Sequence, residues 1–107
     1  MAHLSENRFS RMELLVGGDG LRRLAAASVA VFGVGGVGGY AVEALARAGI
    51  GRLTLVDFDV VAPSNINRQI HALEETVGRT KVQVMAERCR AINPAIRVEP
   101  LREFYGA

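Results

Sequence analysis

Gly33, Gly35, Gly36 and Gly38 stand between an apolar run, Val29-Ala30-Val31-Phe32, and a segment of helical periodicity, and Asp57 follows nineteen positions beyond Gly38. This spacing suits the capture of a nucleotide phosphate. Glycines permit a tight turn and close backbone approach to phosphate oxygens, whose charge the N–H groups and dipole of the following helix can hold. A carboxylate ending the next strand lies where a βαβ dinucleotide fold grips a ribose hydroxyl. A glycine pattern alone is weak, because such a turn can be purely structural. Here strand, turn, helix and terminal acid occur in the order the chemistry requires.

The elements that must position these residues are legible from periodicity. A strand precedes Gly33, and a helix is predicted over residues 36–48, with Val37, Tyr40, Ala41, Ala44, Leu45 and Ala48 on one face and Gly49 and Gly51 as its stop. A second strand, 53–57, delivers Asp57. An irregular polar stretch, 58–78, leads to a helix over about 79–92 with an apolar stripe of Val82, Met85, Cys89 and Ile92, stopped by Asn93-Pro94. A third strand, 96–101, follows. Ahead of the first strand, residues 1–27 read as a helical arm. Ser10-Arg11-Met12-Glu13 has capping-box form, Gly17-Gly18-Asp19-Gly20 breaks the pattern, and 21–27 resumes it.

The chain has 107 residues, half of them hydrophobic, enough for one small domain with one core. It contains no internal repeat and no run of 18 apolar residues, and its start lacks the pattern of a secretion signal, so a soluble cytoplasmic protein is expected. The single cysteine can form neither an internal disulfide nor a multi-cysteine zinc site. A net charge of +2 is no beacon for nucleic acid. A doubly wound nucleotide domain needs roughly five or six strands and about three are present, so the chain reads as the front of something larger, with a partner chain or further sequence expected at the open sheet edge.

Gly33-Val34-Gly35-Gly36-Val37-Gly38, Asp57-Phe58-Asp59, Ser64-Asn65-Ile66-Asn67-Arg68-Gln69 and Val77-Gly78-Arg79-Thr80-Lys81-Val82 together resemble, in order and spacing, the adenylating enzymes related to the ubiquitin-activating enzymes, among them ThiF, MoeB and HesA. Within that superfamily, residues 65–73 and Val84-Met85-Ala86-Glu87-Arg88 are most similar to the tRNA threonylcarbamoyladenosine dehydratase branch, and the likeness runs from about Phe9 to Val98. The resemblance implies an α/β fold, a Rossmann-like parallel sheet with flanking helices, of which residues 28–107 form a βαβαβ unit. It also implies ATP and Mg2+, and a substrate carboxylate that attacks the α-phosphorus to form an acyl-adenylate and pyrophosphate. Positioned cations and amide donors must then neutralise the phosphate oxygens as charge develops. By the same resemblance Asp57 holds the ribose, Asn65, Arg68 and Lys81 hold the phosphate chain, Gln69 belongs to the nucleotide site, and Asp59 lies nearby. Arg11 resembles an arginine that in some relatives reaches the neighbouring subunit's ATP, which implies a homodimer. The branch implies tRNA as substrate, with a threonylcarbamoyl carboxylate cyclised onto adenosine 37.

Plainer readings stand beside these. Lys81 is the one lysine among thirteen basic residues, which favours a specific role for a compact ammonium, yet a lysine in a first helical turn is ordinarily solvated. Cys89, on the apolar stripe, reads as a buried small hydrophobe rather than a nucleophile. His71, flanked by Ile70 and Ala72, reads as a hydrogen-bonded structural histidine, and His3 belongs to a disordered terminus. Arg22-Arg23 and Arg88-Cys89-Arg90 read as solvated faces rather than tRNA contacts. Three other functions remain at this level: activation of a ubiquitin-like sulfur carrier, a nicotinamide oxidoreductase, and a truncated, non-catalytic nucleotide-binding or dimerisation module.

Overall fold

The computed structural model describes residues 6–104, so the reading of His3 lies outside the described residues. Three strands, β1 (Ser28–Phe32), β2 (Arg52–Val56) and β3 (Arg97–Leu101), form one sheet in the order β1-β2-β3. Both pairings are parallel, with Val29 opposite Leu53 and Leu53 opposite Val98. The helices α2 (Gly36–Ala48) and α3 (Lys81–Ile92) serve as the crossovers, which parallel pairing requires. α2 packs on β1 and α3, and α3 on β2 and β3.

The core lies between this helical pair and the sheet row of Val29, Val31, Leu53, Leu55 and Val98, with Val42, Ala46, Val82, Met85 and Cys89 descending from the helices. The stripe expected on α3 is therefore the face that packs, and Cys89 is fully buried. Burial, aided by the nearby Glu43 carboxylate, pushes its thiol up to about 11, which suits a packing role and not a nucleophile.

The expected face of α2 is corrected by the structure. Gly39, Val42 and Ala46 are its buried residues, whereas Val37 is 87% exposed and Tyr40 54% exposed. The reason is closeness. A Cβ on Gly39 would lie 2.7 Å from the Val34 carbonyl oxygen, so the helix approaches the loop most closely at Gly39, which places Val42 and Ala46 on the same inward face and Val37 and Tyr40 outside it.

The arm, α1 (Ser10–Ala26), is likewise not capped as expected. Phe9 is its N-cap without a side-chain bond; the Ser10 hydroxyl instead accepts from Asn7 N–H at 2.8 Å, and Asn7 Oδ1 accepts from Phe9 N–H. The predicted break is present at Gly17, whose φ of 74° interrupts the helix, but the turns resume at once through Gly18 and Gly20. No residue of α1 is fully buried, and Leu14 and Leu15 are at least 80% exposed. The arm is tied to the body at the N-terminal end of the sheet, where Phe9 faces Gly49 and Leu24 C=O accepts from Gly51 N–H.

Glu43 of α2, mostly buried at 15% exposure, pairs with Arg88 of α3 and with Arg47 one turn on. The Arg88 hydrogen bond holds the Glu43 carboxyl below its ordinary value. A carboxyl depressed in the folded state stabilises fully above its unfolded value of 4.5 and loses that contribution as pH falls through the lower folded value. Because Arg88 is itself about a third exposed, Glu43→Gln is expected to cost only about 1 kcal/mol at pH 7. Urea melts should show the gap between wild type and variant narrowing below pH 4.5.

Candidate functional site

The glycine turn sits at the C-terminal end of β1. Gly33 leaves the strand with a φ of 88°, donating its N–H to Val56 C=O, and α2 begins three residues later. Gly38, in the first turn of α2, must be glycine because a Cβ there would lie 1.8 Å from Gly33 O. Gly35 is the N-cap of α2 and Gly36 its first residue, with a φ of 49°, so the open N-terminal amides of the helix face the turn.

Asp57 leaves β2 at the same end of the sheet, one strand away. Its carboxylate reaches into the turn: Oδ2 accepts from Val34 N–H at 2.9 Å and Oδ1 from Asp59 N–H at 2.9 Å. The side chain is buried, with its oxygens fastening the glycine turn to the segment after β2. Each oxygen retains a lone pair for a further donor.

Lys81 comes from far along the chain, and backbone pairing explains how. After Asp59 the chain lies antiparallel to the approach to α3. Val60 bridges Thr80, Val61 N–H donates to Arg79 C=O, and Lys81 N–H donates to Asp59 C=O at 3.0 Å. Thr80 caps the helix through its hydroxyl, fixing Lys81 as the first residue of α3. The Lys81 side chain is 9% exposed and its Nζ lies 3.8 Å from Asp59 Oδ2. A solvated surface lysine is excluded. The ammonium points at the turn, since a Cβ on Gly35 would lie 3.2 Å from Lys81 Nζ and 3.0 Å from Gln69 Oε1. A glycine, an amide and an ammonium thus meet at one point.

Asn65 and Arg68 are placed differently. Asn65 is buried, and its Oδ1 accepts from Ala62 N–H at 2.8 Å while its carbonyl accepts from Arg68 and Gln69 N–H. It shapes the turn that presents Gln69. Arg68 is exposed, its guanidinium donating to Ser64 C=O and Asn67 Oδ1, so the structure does not bring it against the glycine turn. Asp59 is 68% exposed beside Lys81. Arg11 is exposed near the start of α1, which is tied at the other end of the sheet. Of the remaining arginines, Arg22 pairs with Asp19, Arg88 with Glu43, and Arg90 donates to Val98 C=O.

Two features escaped sequence reasoning. Phe104 stacks on Phe58 with ring centroids 4.1 Å apart, Arg102 covers the same ring at 4.6 Å, and a cavity of about 310 Å3 lies among Asp57, Phe58, Asp59, Glu103 and Phe104. Since β3 runs parallel to β2, the chain beyond β3 necessarily emerges beside Asp57; no local pattern in the sequence marks the aromatic pair. The second is His71, 1% exposed, with neither ring nitrogen in a hydrogen bond of normal geometry. The burial is as expected, and the ring's acceptors are backbone carbonyls, those of Val34 and of His71 itself, at less than normal hydrogen-bond geometry. No group of three or more His, Cys, Asp or Glu among the described residues is placed to hold a metal ion.

Open amides, a buried ammonium and a carboxylate, gathered at the carboxyl ends of parallel strands, are groups that can together bind a polyanion bearing hydroxyls. The chain is 54% identical over 99 residues to the tRNA threonylcarbamoyladenosine dehydratase of Bacillus subtilis, which covers 92% of this chain and 39% of the relative. It is 42% identical over 106 residues to the molybdopterin-synthase adenylyltransferase of Salmonella typhimurium, covering 94% of this chain and 43% of that one. Among solved structures, the E. coli tRNA N6-threonylcarbamoyladenosine dehydratase in complex with ATP superposes with a TM-score of 0.89 at 52% identity, covering 91% of this chain and 40% of the other. The chain therefore spans about two fifths of the length of the relatives it matches. The Rossmann-like architecture is common to both sides of that superposition. With the ThiF family model matching residues 9–107, nearly its whole length, this protein belongs to the ThiF family.

Proposed function

We propose that this chain is the nucleotide-binding front part of an ATP-dependent adenylating enzyme that dehydrates threonylcarbamoyladenosine in tRNA. The observation that carries the reading is the meeting of Lys81 Nζ and Gln69 at Gly35, beside a turn that Asp57 fastens. In this reading the α2 amides and Lys81 receive the phosphate chain, while Asp57 accepts from the ribose and the aromatic-lined cavity takes the nucleoside end. Mg2+ would accompany the triphosphate, with the exposed Asp59 carboxylate, 3.8 Å from Lys81 Nζ, as an acid that can face it. The threonylcarbamoyl carboxylate attacks the α-phosphorus, pyrophosphate leaves, and intramolecular capture then expels AMP and closes the ring.

The cations lower the barrier by neutralising oxygens that gain charge as the leaving group departs. Arg68 joins the phosphate chain by turning from its contacts with Ser64 and Asn67, and Arg11 acts on the ATP of a second subunit in a homodimer. Its exposure near the start of α1 supports that role. A cytoplasmic location follows from a tRNA substrate; no helix among the described residues is long and apolar enough to cross a membrane.

The likeness to sulfur-carrier activators supports a second reading, at 42% identity against 54% for the dehydratase. ATP–pyrophosphate exchange by the intact protein separates the two. Exchange stimulated by tRNA bearing threonylcarbamoyladenosine is expected; stimulation only by a ubiquitin-like carrier protein overturns the dehydratase reading.

A further inference from the structure

His71 is the most deeply buried ionisable side chain of the site, and nothing above gives it a task. It lies in the turn between Gln69 and the Leu73–Thr76 loop, where its carbonyl accepts from the Thr76 hydroxyl at 2.8 Å, so its backbone is held firmly. Its ring is not. Both nitrogens are buried without a hydrogen bond of normal geometry, and the neighbouring Gln69 Oε1 is unpaired too. Buried polar groups left unpaired cost stability, and proteins rarely retain them without a use.

The surroundings indicate the use. Burial and the Lys81 ammonium hold the imidazole below its ordinary value, while the Asp57 carboxylate and the backbone carbonyl of Val34 pull the other way. The ring is thus neutral at pH 7, with one donor nitrogen and one acceptor nitrogen. The charges and dipoles it senses are those of the receptor itself: the glycine turn, the acid fastened to it, and the lysine aimed at it.

We propose that His71 is a positioning residue of the nucleotide site, a neutral imidazole behind the glycine turn whose donor nitrogen supports the Val34 carbonyl and whose acceptor nitrogen steadies the Lys81 ammonium, directly or through a water. Val34 is then held from two sides, by Asp57 at its N–H and by His71 at its C=O. This deepens the proposed function and rests on ATP being the ligand of that site.

Two variants test it. His71→Leu fills the buried space but removes both polar atoms, whereas His71→Gln retains one donor and one acceptor. ATP titrated by calorimetry into the full chain is expected to bind the leucine variant at least tenfold more weakly, with most of the loss recovered by glutamine. The chain has only two histidines, so the leucine variant also assigns the His71 imidazole signals. Nitrogen NMR at pH 7 is expected to show one neutral tautomer that shifts on adding ATP. Equal ATP affinity in wild type and leucine variant, equal losses in both variants, or an imidazole signal indifferent to ATP overturns the role of His71 and leaves the nucleotide site standing. A wild-type chain to which ATP does not bind overturns the site reading itself.

Discussion

Lys81→Met is expected to weaken ATP binding about 10- to 100-fold while leaving the fold intact, the weight of one to two charge-assisted hydrogen bonds at about 1.5–3 kcal/mol. The side chain is buried, its one carboxylate neighbour lies 3.8 Å away on an exposed residue, and its ammonium stands at the N-cap of α2. A buried cation so weakly partnered fits the proposed role of meeting an anion. Methionine keeps the stem and loses the charge, so thermal stability should be unchanged or slightly raised. Lys81→Arg should not restore affinity. The planar guanidinium is larger than the ammonium, and a Cβ built on Gly35 would already lie 3.2 Å from Nζ and 3.0 Å from Gln69 Oε1. Calorimetric titration of ATP into the three proteins reads both effects, and full affinity in the methionine variant would remove the lysine from the site.

Gly38→Ala is expected to be the most damaging small substitution in the chain's functional end. The added Cβ would overlap Gly33 O by more than 1 Å, with an approach of 1.8 Å, and both partners are backbone. Neither can rotate away. Relief requires the first turn of α2 to lift from the end of β1, which would draw Val34 N–H off Asp57 and open the core at Gly39 and Val42. A cost of about 2–4 kcal/mol is expected, at the upper end for point substitutions. At about 4–8 °C per kcal/mol for a domain of this size, the melting temperature should fall by about 10 °C or more. Gly36→Ala is the control. Nothing lies within 4 Å of its Cβ position, so only backbone strain at a φ of 49° applies and a fall of a few degrees is expected.

Much of this was legible in the residues. The strand, glycine turn, helix and terminal acid announce a βαβ unit because each element has a local signature, and α2 begins and ends where Gly36 and Gly49 place it. The stripe of α3 reads correctly because its apolar residues fall on one face. α2 does not, because it is apolar nearly all round. Periodicity alone then does not single out a face, whereas close approach at Gly39 settles that Gly39, Val42 and Ala46 turn inward and Val37 and Tyr40 outward.

The site divides the same way. Asp57 and the glycines are neighbours through one crossover, and their meeting follows from the βαβ unit. Lys81 reaches the turn only because residues after Asp59 pair backbone to backbone with the approach to α3, a contact without a side-chain signature. For Arg68 the family resemblance implied a phosphate contact, yet its guanidinium is occupied by Ser64 and Asn67. For His71 the flanking apolar residues report its burial correctly, but not which groups its ring meets.

The pairing of Asp57 with Val34 has a vectorial consequence during biosynthesis. The bond that fastens the glycine turn is encoded within residues 34–57, but Lys81 arrives only with α3. A nascent chain halted ahead of Thr80 would carry the Asp57–Val34 bond and the open amides of α2 before the buried ammonium, so on the proposed reading the charge of the site is completed last.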